Sequence, residues 1–146
     1  MFTEAEQQAL DIDWFFTNYE YNGFGASGGG LLPASVAKSK ENNELLKLYF
    51  NDLPERCGAR ISYHLNKIIE HPDERYLFDF VKMAKKGLFS FDRTNPGNYS
   101  DHNYHLVAIP VNPIKKEELP SNIFEILSKT SYHGDMRIAL NISLFD

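Results

Sequence analysis

Residues 12–27 read IDWFFTNYEYNGFGAS, and the expected fold is built outward from this stretch. Its apolar beginning, 12–17, predicts a short strand. The following NYEYNG ends on Asn22 and Gly23, which tolerate a positive φ and favour a hairpin turn. A second strand around 24–27 would then pair back on the first, and three glycines would end it as a flexible connection.

The last stretch, 136–145, reads MRIALNISLF and shows a clear alternation of apolar and more polar residues. Alternation with a period of two predicts a strand with one face in the core. The other face is half polar, which is typical of an antiparallel sheet covered on one side. The side chains expected in the core are Ile138, Leu140, Ile142 and Leu144.

Two segments have the apolar spacing of amphipathic helices. The first covers about 41–53 and is stopped by Pro54; the second covers 72–86, with Gly87 as a left-handed cap. The expected buried faces are Leu45, Leu48 and Tyr49, flanked by Leu46 and Leu53, in the first helix, and Leu77, Phe78, Val81 and Ala84 in the second.

The remaining elements are shorter. One helical turn is expected within 33–40, strands at 88–92 and 104–111, and a helix from Ile123 to about Thr130 capped by Asn122. Residues 56–71 fit either a strand or a turn followed by a short helix. Because strands and helices do not alternate regularly, we predict a single α+β domain, residues 1–146, with a mainly antiparallel sheet packed against two to three helices.

The charge is unevenly distributed. Net charge is −5, and residues 1–37 contain five acids and no base, whereas the rest of the chain is balanced. An acidic segment argues against nucleic acid as the ligand, because phosphate binding needs clustered Lys and Arg. It suits a basic protein partner, or alternatively a solvated surface that aids solubility.

Other classes of protein and site are not supported by any segment. The first residues lack the basic and apolar regions of a secretory signal, and no stretch reaches the length of a membrane helix. The single cysteine, Cys57, can form neither an internal disulfide nor a thiolate metal site. We therefore expect a cytoplasmic protein with no membrane contact, no cofactor and no metal site.

The letters Gly23-x-Gly25-x-x-Gly28 match the dinucleotide-binding fingerprint. The context does not fit, because polar residues lead into the motif and Pro33 interrupts the place where the phosphate-binding helix should run. We interpret the motif as a glycine-rich turn.

Histidines offer the only other possible chemistry. His102, His105 and His133, with Asp101 and Asp135 nearby in sequence, could together form a metal- or histidine-dependent enzyme site. On a strand, however, positions three apart point to opposite faces, which argues against a preformed pair of His102 and His105. The enzyme is therefore kept as the alternative hypothesis.

Several tyrosines lie beside turns or acids, where large, stiff side chains with a polar tip suit protein interfaces. They are Tyr19 and Tyr21, with Phe24, around the hairpin turn, and Tyr99 and Tyr104 at the link 93–103. The alternative is that some of them belong to the core.

The segments DIDWFF, GGGLLPASVAKSKENNELL and GLFSFDRTN with YHLVAIPVNP, within residues 11–115, resemble small bacterial immunity proteins of polymorphic and contact-dependent toxin systems. The resemblance implies a non-enzymatic protein that neutralises a cognate toxin by occluding it. We expect the toxin to present a basic surface to a patch formed by Asp11, Asp13, Tyr19, Glu20, Tyr21, Tyr99 and Asp101. An interface of this type buries about 1,600 Å² in total.

Overall fold

The computed structural model describes all 146 residues and contains five helices, six strands and three short 3-10 turns. The helices are α1 (Glu4–Ala9), α2 (Ala34–Ala37), α3 (Lys40–Asp52), α4 (Glu74–Lys85) and α5 (Ser121–Leu127). The strands are β1 (Asp13–Thr17), β2 (Asn22–Ala26), β3 (Ala59–Ile61), β4 (Phe89–Arg93), β5 (Asn103–Pro110) and β6 (Ala139–Asn141). None of the helices is both long and apolar enough to cross a bilayer.

All six strands belong to one sheet, in the order β1-β2-β4-β5-β3, and the short β6 pairs with the beginning of β5. The pairing of β2 with β4 is parallel and the other four pairings are antiparallel. The parallel pair is possible because α2, α3, β3 and α4 lie between these strands and carry the chain back. The predicted α+β class with a mainly antiparallel sheet is confirmed.

Apolar residues cover both faces of the sheet. On one face, α3, α4 and α5 pack over a cluster of 16 buried apolar residues that includes Phe15, Phe24 and Phe50. On the other face, 13 buried residues, among them Trp14 and Phe16, pack beneath α2 and the C-terminal segment. The expectation of a sheet covered on one side was wrong, because β1 buries successive aromatic side chains toward opposite faces.

The hairpin of β1 and β2 is confirmed, but its turn lies earlier than predicted. Residues 18–21 form the turn, in which Tyr19 adopts a φ of 72° and Asn18 Oδ1 accepts hydrogen bonds from the amides of Glu20 and Tyr21. Asn22 and Gly23, the predicted turn residues, instead begin β2. The side chain of Asn18 thus stabilises the turn that Asn22 was expected to make.

Glycines of the fingerprint motif have a packing role in β2. Gly23 lies opposite Phe16 and Gly25 lies opposite Trp14. A Cβ atom on Gly23 would overlap the Phe16 ring, and one on Gly25 would lie 2.7 Å from the Trp14 ring. The two aromatic rings therefore occupy the space that side chains at Gly23 and Gly25 would fill.

The two long helices are present, but their buried faces differ from the prediction. In α3 the sheet-facing side chains are Asn43, Leu46 and Phe50, while Leu45 and Leu48 are exposed. In α4, which begins at Glu74 after the cap Asp73 rather than at Pro72, they are Phe80, Met83 and Ala84, and Phe78 is 65% exposed. Phe50 stacks on Phe15 of β1 with ring centroids 4.8 Å apart, so this face of α3 packs against the sheet.

Both chain ends differ from the prediction. The segment 136–145 forms only the three-residue β6 and then a 3-10 turn at Ile142–Leu144, so Leu140 and Ile142 are buried while Ile138 and Leu144 are exposed. Near the start, the reciprocal capping of Thr3 and Glu6 begins an unpredicted helix, α1. In α5 the N-terminal cap position is Pro120, not Asn122.

Candidate functional site

A row of titratable side chains crosses the helix-covered face of the sheet at one end. Register pairs Asp13 of β1 with Ala26 of β2, Ala26 with Asp92 of β4, and Asp92 with His105 of β5. Paired residues share a face, and neighbouring strands lie about 4.8 Å apart. Asp92 and His105 are therefore neighbours, and the small side chain of Ala26 separates Asp92 from Asp13.

Both long helices begin over this row. Asn43, in the first turn of α3, donates a hydrogen bond from Nδ2 to the backbone oxygen of Asp13 at 2.9 Å. Tyr76, in the first turn of α4, donates its hydroxyl hydrogen to Asp92 Oδ2 at 2.6 Å. The positive ends of two helix dipoles thus lie near the acidic side chains of the row.

Tyr76, Asp92, His105 and Thr94 form one hydrogen-bonded chain. The Tyr76 oxygen lies 3.2 Å from His105 Nε2, and Thr94 Oγ1 lies 3.1 Å from His105 Nδ1. Because the Tyr76 hydrogen is given to Asp92, His105 donates from Nε2 to Tyr76 and accepts at Nδ1 from Thr94. The directions of all three hydrogen bonds are mutually consistent with a neutral imidazole.

Burial shifts the titration of this chain of groups. It lowers the pKa of His105 to about 4 and raises the pKa of Asp92 to about 6, although hydrogen bonds from Tyr76 and the Arg93 amide oppose the rise at Asp92. Burial, together with Asp92, also raises the pKa of the Tyr76 phenol. Near pH 7, Asp92 is therefore ionised while His105 is neutral, and every member of the chain has a partner within the protein.

Asp13 differs from Asp92 in having no hydrogen bond to its carboxyl group. Burial raises the pKa of Asp13 to about 6, with Asp11 and Asp79 adding to the rise and only Lys47 opposing it. At pH 7 the protein thus holds a half-buried carboxylate whose sole favourable charge is one lysine. Such a group costs free energy in the folded state.

We define the acidic end as Asp11, Asp13, Asp79 and Asp92. Asp11 accepts a hydrogen bond from the Gly28 amide at 2.8 Å and raises the pKa of both Asp13 and Asp92. Asp79 lies on α4, and its charge also raises the pKa of Asp13. Strands β1 and β4, the segment that leads into β1, and helix α4 therefore bring like charges together at one end of the molecule.

The link 94–102 lies beside the acidic end, held by a buried arginine. Arg93 donates hydrogen bonds to the backbone oxygens of Asn98 and Asp101, and its guanidinium occupies the space where a side chain on Gly30 would lie. Leu31 donates its amide hydrogen to the Tyr99 oxygen at 3.1 Å. These contacts order the link and place Tyr99 and Asp101 near the glycine turn that holds Asp11.

The predicted interface residues are divided between two ends of the sheet. Asp11, Asp13, Tyr99 and Asp101 lie at or beside the acidic end. The other three, Tyr19, Glu20 and Tyr21, lie in the hairpin turn beyond the far end of β1, which spans roughly 13 Å. The seven residues thus form two separate patches.

The turn patch has its own packing. Tyr19 is 51% exposed and its ring packs edge-on against Phe124 of α5. Tyr21 packs on Phe89 and lies under the Lys115 ammonium, which is 5.3 Å from the ring centroid. Tyr104 is fully buried, and its hydroxyl oxygen accepts a hydrogen bond from the Trp14 indole, so of the two alternatives for this residue the structure supports the core.

The three histidines of the alternative hypothesis lie apart. His105 belongs to the row beneath α4, whereas the backbone oxygen of His102 accepts from Ile142 at the opposite face, beside Leu31 and Leu32. His133 is exposed and pairs with Asp146 at 2.8 Å. This geometry gives no common site for them.

Replacing Tyr76 by Phe tests the hydrogen-bonded chain. The change leaves Asp92 Oδ2 and His105 Nε2 without their partner, so we expect the free energy of unfolding at pH 7 to fall by about 1–3 kcal/mol. Chemical denaturation measures this. Tyr63→Phe is the matched control, because Tyr63 is 87% exposed and its hydroxyl makes no hydrogen bond within the chain; equal effects of the two changes would contradict the assignment.

Comparison of the chain with protein-family models, with curated proteins and with solved structures finds no match. The role of the acidic end is therefore inferred from its own geometry and charge.

Proposed function

We propose that this chain is a non-enzymatic binding protein, an immunity protein that neutralises a cognate bacterial toxin by occluding it. The acidic end would dock on a basic surface of the toxin. The observation that carries the proposal is the Asp13 carboxyl group, which is half-buried, flanked by two like charges and free of hydrogen bonds. In the isolated protein Lys47 is the only charged side chain that opposes the rise in the pKa of Asp13.

A lysine or arginine of a partner would supply what Asp13 lacks. Its N–H groups would donate charge-assisted hydrogen bonds to the carboxylate, and its charge would offset repulsion from Asp11 and Asp79. Close charge pairs across protein interfaces show coupling energies of about 1.5–7 kcal/mol. The same carboxylate that destabilises the free protein would therefore stabilise the complex.

The surroundings suit a protein partner of this kind. The acidic residues at this end attract a basic surface and accelerate its association. A standard interface of about 800 Å² on each partner is wide enough to extend from the first turns of α3 and α4 to the link 94–102. It would then include Tyr99 and Asp101, which the sequence also assigned to the interface.

The proposal is tested by co-expression with a toxin. The chain is produced in cells that also express the toxin domain encoded immediately upstream of its gene, and surviving colonies are counted. We expect the chain to restore survival, and the purified pair to form a complex at one-to-one stoichiometry. Cell death at the same rate with and without the chain, or survival without any complex, would contradict the proposal.

A further inference from the structure

Helix α4 carries an exposed stripe of three residues on the side that faces away from the sheet. Glu74, Phe78 and Lys82 are spaced four apart, so they lie above one another along the helix, and all three are exposed. Beside them runs an open groove that Leu77, Val81, Glu55 and Lys85 line together with the stripe itself. Phe78, Leu77 and Val81 thus form one contiguous apolar surface on α4, the kind of feature that marks interaction sites.

The two charges of the stripe have no partner in their own chain. Neither Glu74 nor Lys82 takes part in any of the five ion pairs of the protein. They are eight positions apart along the helix, a rise of about 12 Å, which is too far for them to pair with each other. Each charge is therefore available to a group outside the chain.

The order of the three residues is symmetric about Phe78. Glu74 precedes it by four positions and Lys82 follows it by four, so reversing the direction of the helix exchanges the acidic and basic positions. We propose that a second copy of this chain docks on the stripe, with the two α4 helices antiparallel about a two-fold axis. Glu74 of each copy then faces Lys82 of the other, which makes the surface self-complementary.

The contact between the apolar residues follows from the same arrangement. The two Phe78 rings meet near the axis, and each can enter the groove between Leu77 and Val81 of the other copy. A 12-residue helix is about 18 Å long, so the pair buries less than the roughly 800 Å² per partner of a standard interface. The dimer is therefore expected to belong to the weak, transient class of interfaces.

The dimer and the acidic end use different sides of α4. Tyr76 and Asp79 lie on the flank of α4 that faces Asp92 and Asp13, whereas the stripe lies on the outer side of the helix. The inference goes beyond the proposed function and does not depend on it. A variant that no longer dimerises but still protects cells would show that the dimer and the proposed function are independent.

Charge reversal tests the dimer. Sedimentation velocity over a range of concentrations up to about 1 mM measures association of the wild-type chain, E74K and K82E, where the upper limit follows from the weak affinity expected. We expect the wild type to associate, and each single variant to associate at least tenfold more weakly because two like-charge pairs form. A wild-type chain that stays monomeric throughout would overturn the proposal.

An equimolar mixture of the two variants is the decisive measurement. E74K carries a base at both charged positions of the stripe, and K82E carries an acid at both. In a heterodimer of the two variants every facing pair is therefore an acid with a base, so an equimolar mixture should associate about as strongly as wild type. No effect on the separate monomers can produce that recovery. A mixture that associates no better than either variant alone would overturn the two-fold arrangement.

The apolar contact has its own control. F78A should weaken association tenfold or more while leaving the circular dichroism spectrum unchanged, since the side chain is mostly exposed. L48A is matched to it, because Leu48 of α3 is 64% exposed but lies outside the stripe. Equal loss of association in both variants would contradict a contact centred on Phe78.

Discussion

Replacing Gly23 by Ala is expected to lower the free energy of unfolding by about 3 kcal/mol or more, at the upper end of the range for overpacked cores. The new methyl group would overlap the Phe16 ring directly across the β1–β2 pair. That ring cannot move aside, because Phe91, Tyr132 and Phe145 surround it at centroid distances of 5.1–6.2 Å. Urea denaturation at pH 7 measures the loss.

The chain offers a matched control for this prediction. A Cβ atom on Gly97 would have no heavy atom within 4 Å, so Gly97→Ala should change stability by less than about 0.5 kcal/mol. Shortening the ring in the same background, with Phe16→Leu, should restore part of the stability lost in Gly23→Ala. A Gly23→Ala variant that is as stable as Gly97→Ala would contradict the packing of the Phe16 ring over β2.

Replacing Asp13 by Asn is expected to stabilise the isolated protein at neutral pH. The folded pKa of Asp13, about 6, lies above its unfolded value of 3.8, so the native state binds more protons than the unfolded state between these limits. The contribution of Asp13 to wild-type stability therefore decreases as pH rises from about 4 to 6. The full shift corresponds to about 3 kcal/mol, and partial exposure reduces the expected gain to about 1–2 kcal/mol.

The pH dependence identifies the cause of that gain. An asparagine side chain has no charge to desolvate, so the difference between Asp13→Asn and wild type should be largest at pH 7–8. It should vanish below about pH 4, where Asp13 becomes protonated in both the folded and the unfolded state. Denaturation of the two proteins across this range provides the curve. A variant that is equally stable at pH 7, or less stable than wild type there, would show that Asp13 does not destabilise the fold.

Local patterns predicted most elements but not their orientation. The runs at 12–17, 88–92 and 104–111 and the helical spacing in α3 and α4 lie within a few residues of the observed bounds. The buried face of α3 was wrong because Leu45 and Leu46 are both apolar and differ by about 100° around the helix. Only contact with Phe15 of the sheet distinguishes them.

The candidate site was predictable only in part. Asp11 and Asp13 were identified from the base-free first quarter, yet nothing in the sequence indicated that Asp79 and Asp92 join them. That association depends on the parallel pairing of β2 with β4, two strands separated by more than 60 residues. The grouping of Tyr19, Glu20 and Tyr21 with the same interface assumed that neighbours in sequence share a surface, which the length of β1 prevents.

The affinity of Asp13→Asn for the toxin domain, compared with the affinity of wild type, tests docking through the acidic end most directly. The substitution removes one charge and stabilises the fold, so lost binding cannot be ascribed to unfolding. We expect the affinity to fall at least 100-fold, while Glu20→Gln, which removes a charge at the other end of β1, binds as wild type. Unchanged affinity of Asp13→Asn, or an equal loss with Glu20→Gln, would contradict docking through the acidic end.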